Sequence, residues 1–272
     1  MVNRSQMIIV LFRMVVAMLF EEERKSKLVQ HLQQSGRASV QELSTLFDVS
    51  ESTIRRDLKE LEDARLLKRT HGGAVCLESV NFEPNVLEKE DQFKQEKEKI
   101  GVTAFGLIHE GDSIFLDSGT TTLQLAKELR KGQLRVTVIT NSIIVLNELR
   151  DAHHLEVSMV GGIMRAETLA FVGPMAERCM EMITVDKAFI ATNGLDLKHG
   201  ITTPNLIEAS TKRKMLQIAK EVILLCDHSK VGKVTYAKVA DLNEIDHCII
   251  DDQLDVTVAD KIKKQHVKLT MV

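Results

Sequence analysis

The 272-residue chain is poor in aromatic side chains, which make up 4% of it with one Tyr and no Trp. Few flat surfaces are left on which unpaired bases could stack. Its four cysteines (Cys76, Cys179, Cys226 and Cys248) are widely separated, with no CxxC pair and no histidine cluster beside them. That spacing excludes a disulfide scaffold and a zinc site, and it reads as reduced thiols of a cytoplasmic protein, most of them in the core. Neither charge dominates: 36 Lys+Arg face 39 Asp+Glu, a net charge of −3. A general polycation is excluded, and any contact with nucleic acid needs a local basic face. With 44% hydrophobic and 28% charged residues, disorder and collagen are excluded as well.

A membrane span of about 20 apolar residues is also missing. The longest apolar run, Met7 to Phe20, is 14 residues long, carries Arg13 in its middle and stops at Glu21, Glu22 and Glu23. A short apolar region after Arg4 suits a secretory signal, yet no small-x-small cleavage site follows. Three readings stay open: an upstream start or dispensable extension, with translation beginning at Met14 or Met18; an extra helix; or a targeting segment. The common enzyme motifs GxxxxGK[ST], GxGxxG, GxSxG and HExxH are absent too.

At roughly 150 residues per domain the length suggests about two units. The first begins near Arg24, where Leu28, Val29 and Leu32 share one side of a helix that Gly36 stops. Ser39 is a plausible cap for a second short helix, along which Val40, Leu43, Leu46 and Phe47 recur at helical spacing. After the turn at Asp48-Val49, Ser50 caps a third helix whose Ile54, Leu58 and Leu61 face the core. At 100° per residue the opposite face carries Ser52, Arg56 and Lys59, flanked by Thr53 and Arg55. Leu66 to Val75 then reads as a hairpin with a glycine turn, bearing Lys68, Arg69 and His71.

Helix, helix, turn, helix and hairpin make a winged helix-turn-helix. A major groove about 12 Å wide admits one helix, and its first turns touch base edges. Arg55 and Arg56 suit guanine edges or phosphates, Ser52 and Thr53 bond to either, and the wing residues would lie along the adjacent backbone. Charge counting alone favours a solvated surface helix, since Ser52 to Gly73 holds six Lys/Arg and four acids, a balance of +2. The order of elements outweighs that count.

The stretch VQELSTLFDVSESTIRRDLKELEDARLLKRTHGGAV, Val40 to Val75, resembles the DNA-binding domain of the DeoR family of bacterial sugar-metabolism regulators. VS, TIRRDL and RTHGGA fall at the family's spacing. The resemblance implies binding to double-stranded operator DNA, and an ordinary family N-terminus would begin at Met18.

From Cys76 to about Lys99 the chain turns polar, with Pro84 and the run EKEDQFKQEKEK, and reads as a linker entering a helix that continues through Ile100, Ala104, Leu107 and Ile108. Strands are expected at Ser113 to Leu116, Arg135 to Ile139, Leu155 to Val160, Lys187 to Ala191, Val222 to Cys226 and Cys248 to Ile250. Helices are expected at Thr121 to Leu129, Ile143 to Leu149, Pro174 to Met182 and Asn205 to Ala219. Such alternation argues for an α/β domain with a largely parallel sheet, whose ligands bind at the carboxyl ends of the strands. Four segments are therefore expected: an apolar extension over 1–20, the winged helix-turn-helix over 21–76, a linker and helix over 77–99, and the α/β domain over 100–272.

Asp117, Ser118, Gly119, Thr120, Thr121 and Thr122 lie between a strand and a helix, where backbone N–H groups and hydroxyls suit a phosphate. The same turn is also simply a good helix cap. Thr140-Asn141-Ser142 and Gly161-Gly162 end strands in the same way, and Asp227-His228-Ser229-Lys230 follows another. With Lys230 and Arg165 or Lys212 for charge, these turns describe one anion pocket.

This second domain resembles the DeoR-family effector domain, similar in fold to ribose-5-phosphate isomerase and coenzyme A transferases. The matching residues are Asp117 to Thr121, Thr140 to Ser142, Gly161-Gly162, Phe171 to Gly173, Gly200 to Thr202, Glu208 and Ser229-Lys230. The likeness implies a phosphorylated sugar bound without turnover, with no cofactor and no metal. It also implies a repressor of carbohydrate catabolism that pairs its DNA-reading units as a dimer or tetramer. An isomerase is the rival, with Glu208 as base, Lys230 stabilising an enediolate and Asp117 orienting a hydroxyl. No DGAD-like acidic pair or KGGGG-like loop supports it, and His153-His154 reads as a solvated loop. A membrane-tethered regulator, anchored by the apolar N-terminus, is the other alternative.

Overall fold

A computed structural model describes residues 21–32, 35, 37–64, 66–76 and 85–272. The apolar segment Met7 to Phe20, Gly36 and residues 77–84, the first part of the 77–99 stretch, lie outside the described residues. Among those described, no helix is long and apolar enough to cross a membrane. The chain divides into two units, Met1–Ser79 and Val80–Val272.

In the first unit, helix α1 (residues 21–32) buries Leu28, Val29 and Leu32. Helix α2 (Val40–Phe47) begins at Ser39, whose Oγ accepts from the Glu42 N–H at 3.2 Å while the Glu42 carboxylate accepts from the Ser39 N–H at 2.7 Å. This reciprocal capping box satisfies two donors that a helix start leaves over. The helix ends at Asp48, held in the left-handed region at φ 52°. Helix α3 (Glu51–Asp63) is capped by Ser50, which accepts from Thr53 N–H at 3.2 Å, and it buries Ile54, Leu58 and Leu61 beneath α1 and α2 side chains. Leu46 departs from its apolar spacing: it is 56% exposed, beyond the edge of the core stripe.

The hairpin is present as β2 (Leu67–Thr70) and β3 (Gly73–Cys76), turning at Gly72 with φ 89°. A third strand, β1 (Arg37–Ser39), pairs antiparallel with β3, which the sequence reading did not anticipate. A Cβ at Gly73 would sit 2.2 Å from the Ala38 carbonyl oxygen, so only glycine lets β1 approach.

The second unit opens with α4 (Val86–Glu90) and α5 (Lys94–Phe105). Helix α5 starts at Lys94, so the expected boundary between residues 99 and 100 falls inside it. Strands β4 (Ser113–Leu116), β5 (Thr137–Thr140) and β6 (Glu156–Met159) alternate with α6 (Thr120–Lys131) and α7 (Ile143–Leu149). A hairpin, β7 (Ile163–Arg165) and β8 (Ala170–Val172), precedes α8 (Pro174–Met180) and the strand β9 (Val185–Ala191). The short strands β10 (Gly194–Asp196), β11 (Gly200–Thr203) and β13 (Ala237–Ala240) form an antiparallel sheet of their own. Helix α9 (Leu206–Gln217), β12 (Ala219–Leu225), β14 (His247–Ile250), α10 (Val256–Lys263) and β15 (Lys268–Met271) complete the unit.

Seven strands pair in parallel in the order β15-β14-β12-β9-β4-β5-β6. Successive side chains point to opposite faces of a strand. Accordingly Phe115, Ile190 and Leu224 join one core, and Leu116, Phe189 and Leu225 the other. Burial on both faces is why these strands read as continuous apolar runs. Cys226 and Cys248 belong to the first core, and the Cys226 thiol is pushed well up by its hydrogen bond with Cys248 and by burial.

The topology fixes where a ligand can enter. From β4 the chain runs outward through β5 and β6, then returns to β9 on the other side and continues to β12, β14 and β15. The direction reverses between β4 and β9, and the crevice beyond their carboxyl ends is the usual ligand site of such sheets.

Candidate functional site

The exposed face of α3 carries Ser50, Ser52, Arg55, Arg56 and Lys59, with Thr53 half-buried beside them. Ser50 Oγ lies 2.8 Å from Ser52 Oγ and 2.9 Å from Thr53 Oγ1, a hydroxyl cluster at the helix N-terminus. Lys68, Arg69 and His71 are exposed on the hairpin. Arg55 is paired with Glu51 at 2.8 Å, Arg56 lies 3.7 Å from Glu21, and Arg69 is paired with Glu62 at 2.8 Å. Such exposed pairs are worth at most about 1 kcal/mol each, so a phosphate can displace them.

Two acids of α3, Asp57 and Glu60, point to α1 instead of to this face. Asp57 is fully buried, accepting from Arg24 Nε at 2.6 Å and Nη2 at 3.1 Å. That hydrogen bond holds the Arg24 guanidinium above its ordinary pKa. Glu60 is engaged by Lys25 of α1. Two of the four acids counted along the sequence are thus tied to α1.

In the second unit the crevice between β4 and β9 is built on Asp117. Its Oδ2 accepts from the Ala191 N–H at 2.9 Å and from Lys212 Nζ, while Lys212 also donates to the Ala191 carbonyl at 3.2 Å. Lys212 lies 3.8 Å from Glu208 one turn earlier on α9, and Glu208 accepts from Arg165 of β7. Asn205 positions α9 by accepting from the N–H groups of Ile207 and Glu208, both at 3.0 Å. Arg165, Glu208, Lys212 and Asp117 therefore form one buried line of alternating charge.

Around that line, three buried polar atoms have no hydrogen-bond partner among the described residues: Asp117 Oδ1, Ser118 Oγ and Asn141 Oδ1. Burying such groups unpaired costs about 1–3 kcal/mol each. All three sit where strands end, beside the start of α6, whose first N–H groups have no partner within the helix.

Other expected residues have internal tasks. The Thr122 hydroxyl accepts from Gly119 N–H at 2.9 Å and donates to the Asp117 carbonyl at 2.6 Å, closing the turn. A Cβ at Gly119 would lie 2.3 Å from Ala191 Cβ, so glycine lets α6 seat on β9. Thr120 and Thr121 are buried on the first turn of α6. Ser142 caps α7, accepting from Val145 N–H at 3.4 Å, and Asn141 donates to the Phe171 carbonyl at 3.1 Å. Gly161 is exposed; Gly162, at φ 152°, leads into β7 and packs where a Cβ would meet the Val172 carbonyl at 2.8 Å.

Lys230 belongs to a second cluster at the carboxyl end of β12. It lies 3.6 Å from Asp227 Oδ2 and donates to Ser229 Oγ at 3.2 Å. Burial would raise the Asp227 carboxyl, but Lys230, Ser229 and Lys97 outweigh it and hold the pKa below the ordinary value. His228 Nδ1 lies 2.7 Å from the buried Asp251. Lys97 was missed from the sequence. It is 2% exposed and donates to the Lys89 carbonyl, and burial brings its ammonium down to about 8 despite Asp227. The available signal was its place at the head of the stripe Lys97, Ile100, Gly101 and Ala104 along α5. Among the described residues no group of three or more His, Cys, Asp or Glu is placed to hold a metal ion.

Comparison with known proteins matches residues 24–80 to the DeoR-like helix-turn-helix domain and residues 92–252 to the DeoR C-terminal sensor domain. The HTH-type transcriptional regulator GlpR of Haloferax volcanii is 40% identical over 245 residues, covering 90% of this chain and 95% of that protein. The HTH-type transcriptional repressor GlcR of Bacillus subtilis is 36% identical over 258 residues, covering 92% and 96%. Among solved structures, ribose 5-phosphate isomerase A of Methanocaldococcus jannaschii aligns at 17% identity and a TM-score of 0.39, over 52% of this chain and 55% of that one.

Proposed function

The chain belongs to the DeoR family of transcriptional regulators, and from that premise we propose that it represses a carbohydrate-catabolism operon under the control of a phosphorylated sugar. Ser52, Thr53, Arg55, Arg56 and Lys59 enter the major groove behind the Ser50 cap, and Lys68, Arg69 and His71 follow the neighbouring phosphates. Two such units, brought together in a dimer or tetramer, read half-sites about one helical turn apart. As a DNA-binding regulator, not an enzyme, it acts in the cytoplasm.

The observation that carries the effector half is the set of orphaned atoms Asp117 Oδ1, Ser118 Oγ and Asn141 Oδ1. Two of them are pure acceptors, so they ask for donors, and the hydroxyls of a sugar supply these. Thr120, Thr121 and the N–H groups of the first α6 turn take the phosphate, with Lys230 contributing charge. Thr122, Gly119, Ser142, Gly161 and Gly162 shape the turns, and Arg165, Glu208 and Lys212 hold the Asp117 side chain in position. The bound sugar favours one arrangement of the effector domains, shifting the population to a state of poor operator affinity.

A thermal-shift screen of sugar phosphates against free sugars and inorganic phosphate tests this. A ligand at 100 times its Kd stabilises the native state by about 2.7 kcal/mol. A sugar phosphate that shifts melting and releases operator DNA is the expected result. A panel that moves neither, or a hit that is turned over, refutes the reading.

A further inference from the structure

The turn that joins β7 to β8, residues 166–169, has a backbone under tension. Leu169 is held in the left-handed region at φ 50°, a conformation that glycine adopts freely and a branched side chain does not. Beside it Thr168 is buried, and its Oγ1 has no hydrogen-bond partner among the described residues. Strain of this kind persists only where the surroundings impose it.

Both sides of the pocket end on this turn. On one side Arg165, from which the turn departs, meets Glu208 of the buried charge line. On the other, the Leu169 carbonyl accepts from the Ile143 N–H at 3.1 Å, and Ala170 bridges to Ser142, the neighbour of Asn141 with its orphaned oxygen. The outward contact is with α4. The Glu167 carbonyl accepts from the Val86 N–H at 2.8 Å, and Val86 is the buried first residue of that helix. An N–H at a helix start has no partner inside the helix, so this bond is the one that anchors it. The far end of α4 is tied separately, by Lys127 to Glu90 at 3.5 Å and by Lys97 to the Lys89 carbonyl. The boundary between the two units falls at Ser79 and Val80, shortly before α4, so the chain leaves for the first unit from the end that Glu167 holds.

We propose that this turn is a relay, which carries the state of the pocket to the head of α4 through the bond between Glu167 and Val86. A group that engages Asn141 or displaces the Glu208 line loosens one of the two supports that keep Leu169 strained. Relaxation of Leu169 to a negative φ swings the main chain of the turn, and a hydrogen bond weakens steeply once its angle falls below about 120°. The head of α4 is then released while its far end stays tied. The part played by a sugar phosphate rests on the function proposed above; the mechanical link from Glu208 to Val86 does not.

Hydrogen exchange on the full chain, read at the α4 amides, tests the link with neither sugar nor DNA present. Glu208→Gln keeps the shape of the side chain and weakens its hold on Arg165, and it should speed exchange along α4 at least about fivefold while leaving α10 unchanged. Val86→Pro removes the N–H and keeps the helix start, because Asn85 already stands at φ −66° and ψ 160°, as a residue before proline must, and proline suits the first helical position. In that background Glu208→Gln should add less than about twofold, the bond through which it acts being gone. Val86→Ala trims the same side chain but keeps the donor, so there the full effect of Glu208→Gln should persist. Exchange along α4 that Glu208→Gln leaves unchanged, that rises equally in α10, or that rises as much with Val86→Pro as without it, overturns the relay. A screen in which no sugar phosphate shifts melting removes the effector reading and leaves this result standing.

Discussion

Lys97→Met is the substitution whose effect runs against ordinary expectation, because removing a charged residue beside a buried carboxylate should stabilise the protein. Burial brings the Lys97 pKa from 10.5 to about 8. At 1.36 kcal/mol per pKa unit, holding the ammonium charged in its folded site costs about 3 kcal/mol at neutral pH. Methionine matches the stem in volume and needs no solvation; it forgoes the bond to the Lys89 carbonyl, worth about 1 kcal/mol, and the attraction to Asp227 that the lowered pKa already includes. The net gain is about 2 kcal/mol at pH 7, or about 1 M in the urea midpoint at a slope of about 2 kcal/mol/M. Its pH dependence follows from proton counting. Between about 8 and 10.5 the unfolded chain keeps a proton that the folded chain has lost, so raising the pH stabilises the parent through this group. The advantage of Lys97→Met should therefore be full below pH 8 and gone by about pH 10.5. Urea unfolding followed by far-UV circular dichroism at several pH values measures it. A variant less stable than the parent at pH 7, or a gain still present at pH 11, refutes the reasoning.

Three further substitutions separate the working parts. Arg56→Ala should weaken operator binding and reduce the slope of log K against log salt by about 1 if the contact is to phosphate, with unchanged binding in a gel-shift titration removing α3 from the interface. Asp57→Ala leaves Arg24 without its buried partner and should cost about 3 kcal/mol in chemical unfolding of the first unit; a loss under 1 kcal/mol would mean that water replaces the carboxylate at no cost. Lys230→Ala should keep operator affinity in the same gel-shift assay and abolish the thermal shift given by a sugar phosphate, whereas an undiminished shift clears Lys230 of contact with the ligand.

The central strands were legible because both faces are buried. SIFL at Ser113–Leu116 and VIT within Thr137–Thr140 are too apolar and β-branched to be loops. The capping serines were legible for a local reason, since Ser39 and Ser50 each stand directly before an apolar helical stripe. By contrast β1 is only Arg-Ala-Ser, and it becomes a strand because Gly73 leaves room beside β3. Helix α10 and strand β15 escaped notice altogether, because α10 buries only Ala259 and Ile262 within VTVADKIK and β15 is a four-residue edge strand, part-exposed along its length. Charged residues misled most. Asp57 and Lys97 read as solvated members of charge runs, yet each is buried by a contact with another helix or turn that no local pattern announces.

Charge sums mislead in the pocket for the same reason. Arg165, Glu208, Lys212 and Asp117 cancel in pairs, so this buried line adds no net attraction for an anion. On the proposed reading, affinity for a phosphate must then come from the first turn of α6 and from Lys230, leaving the orphaned Asp117 and Asn141 oxygens to read hydroxyls. A site of that kind discriminates unevenly. An analogue that lacks the hydroxyl leaves a buried acceptor unpaired, and it is rejected far more strongly than one that merely adds a methylene elsewhere. Selectivity among sugar phosphates should accordingly follow the hydroxyl facing Asp117 more than the length of the carbon chain.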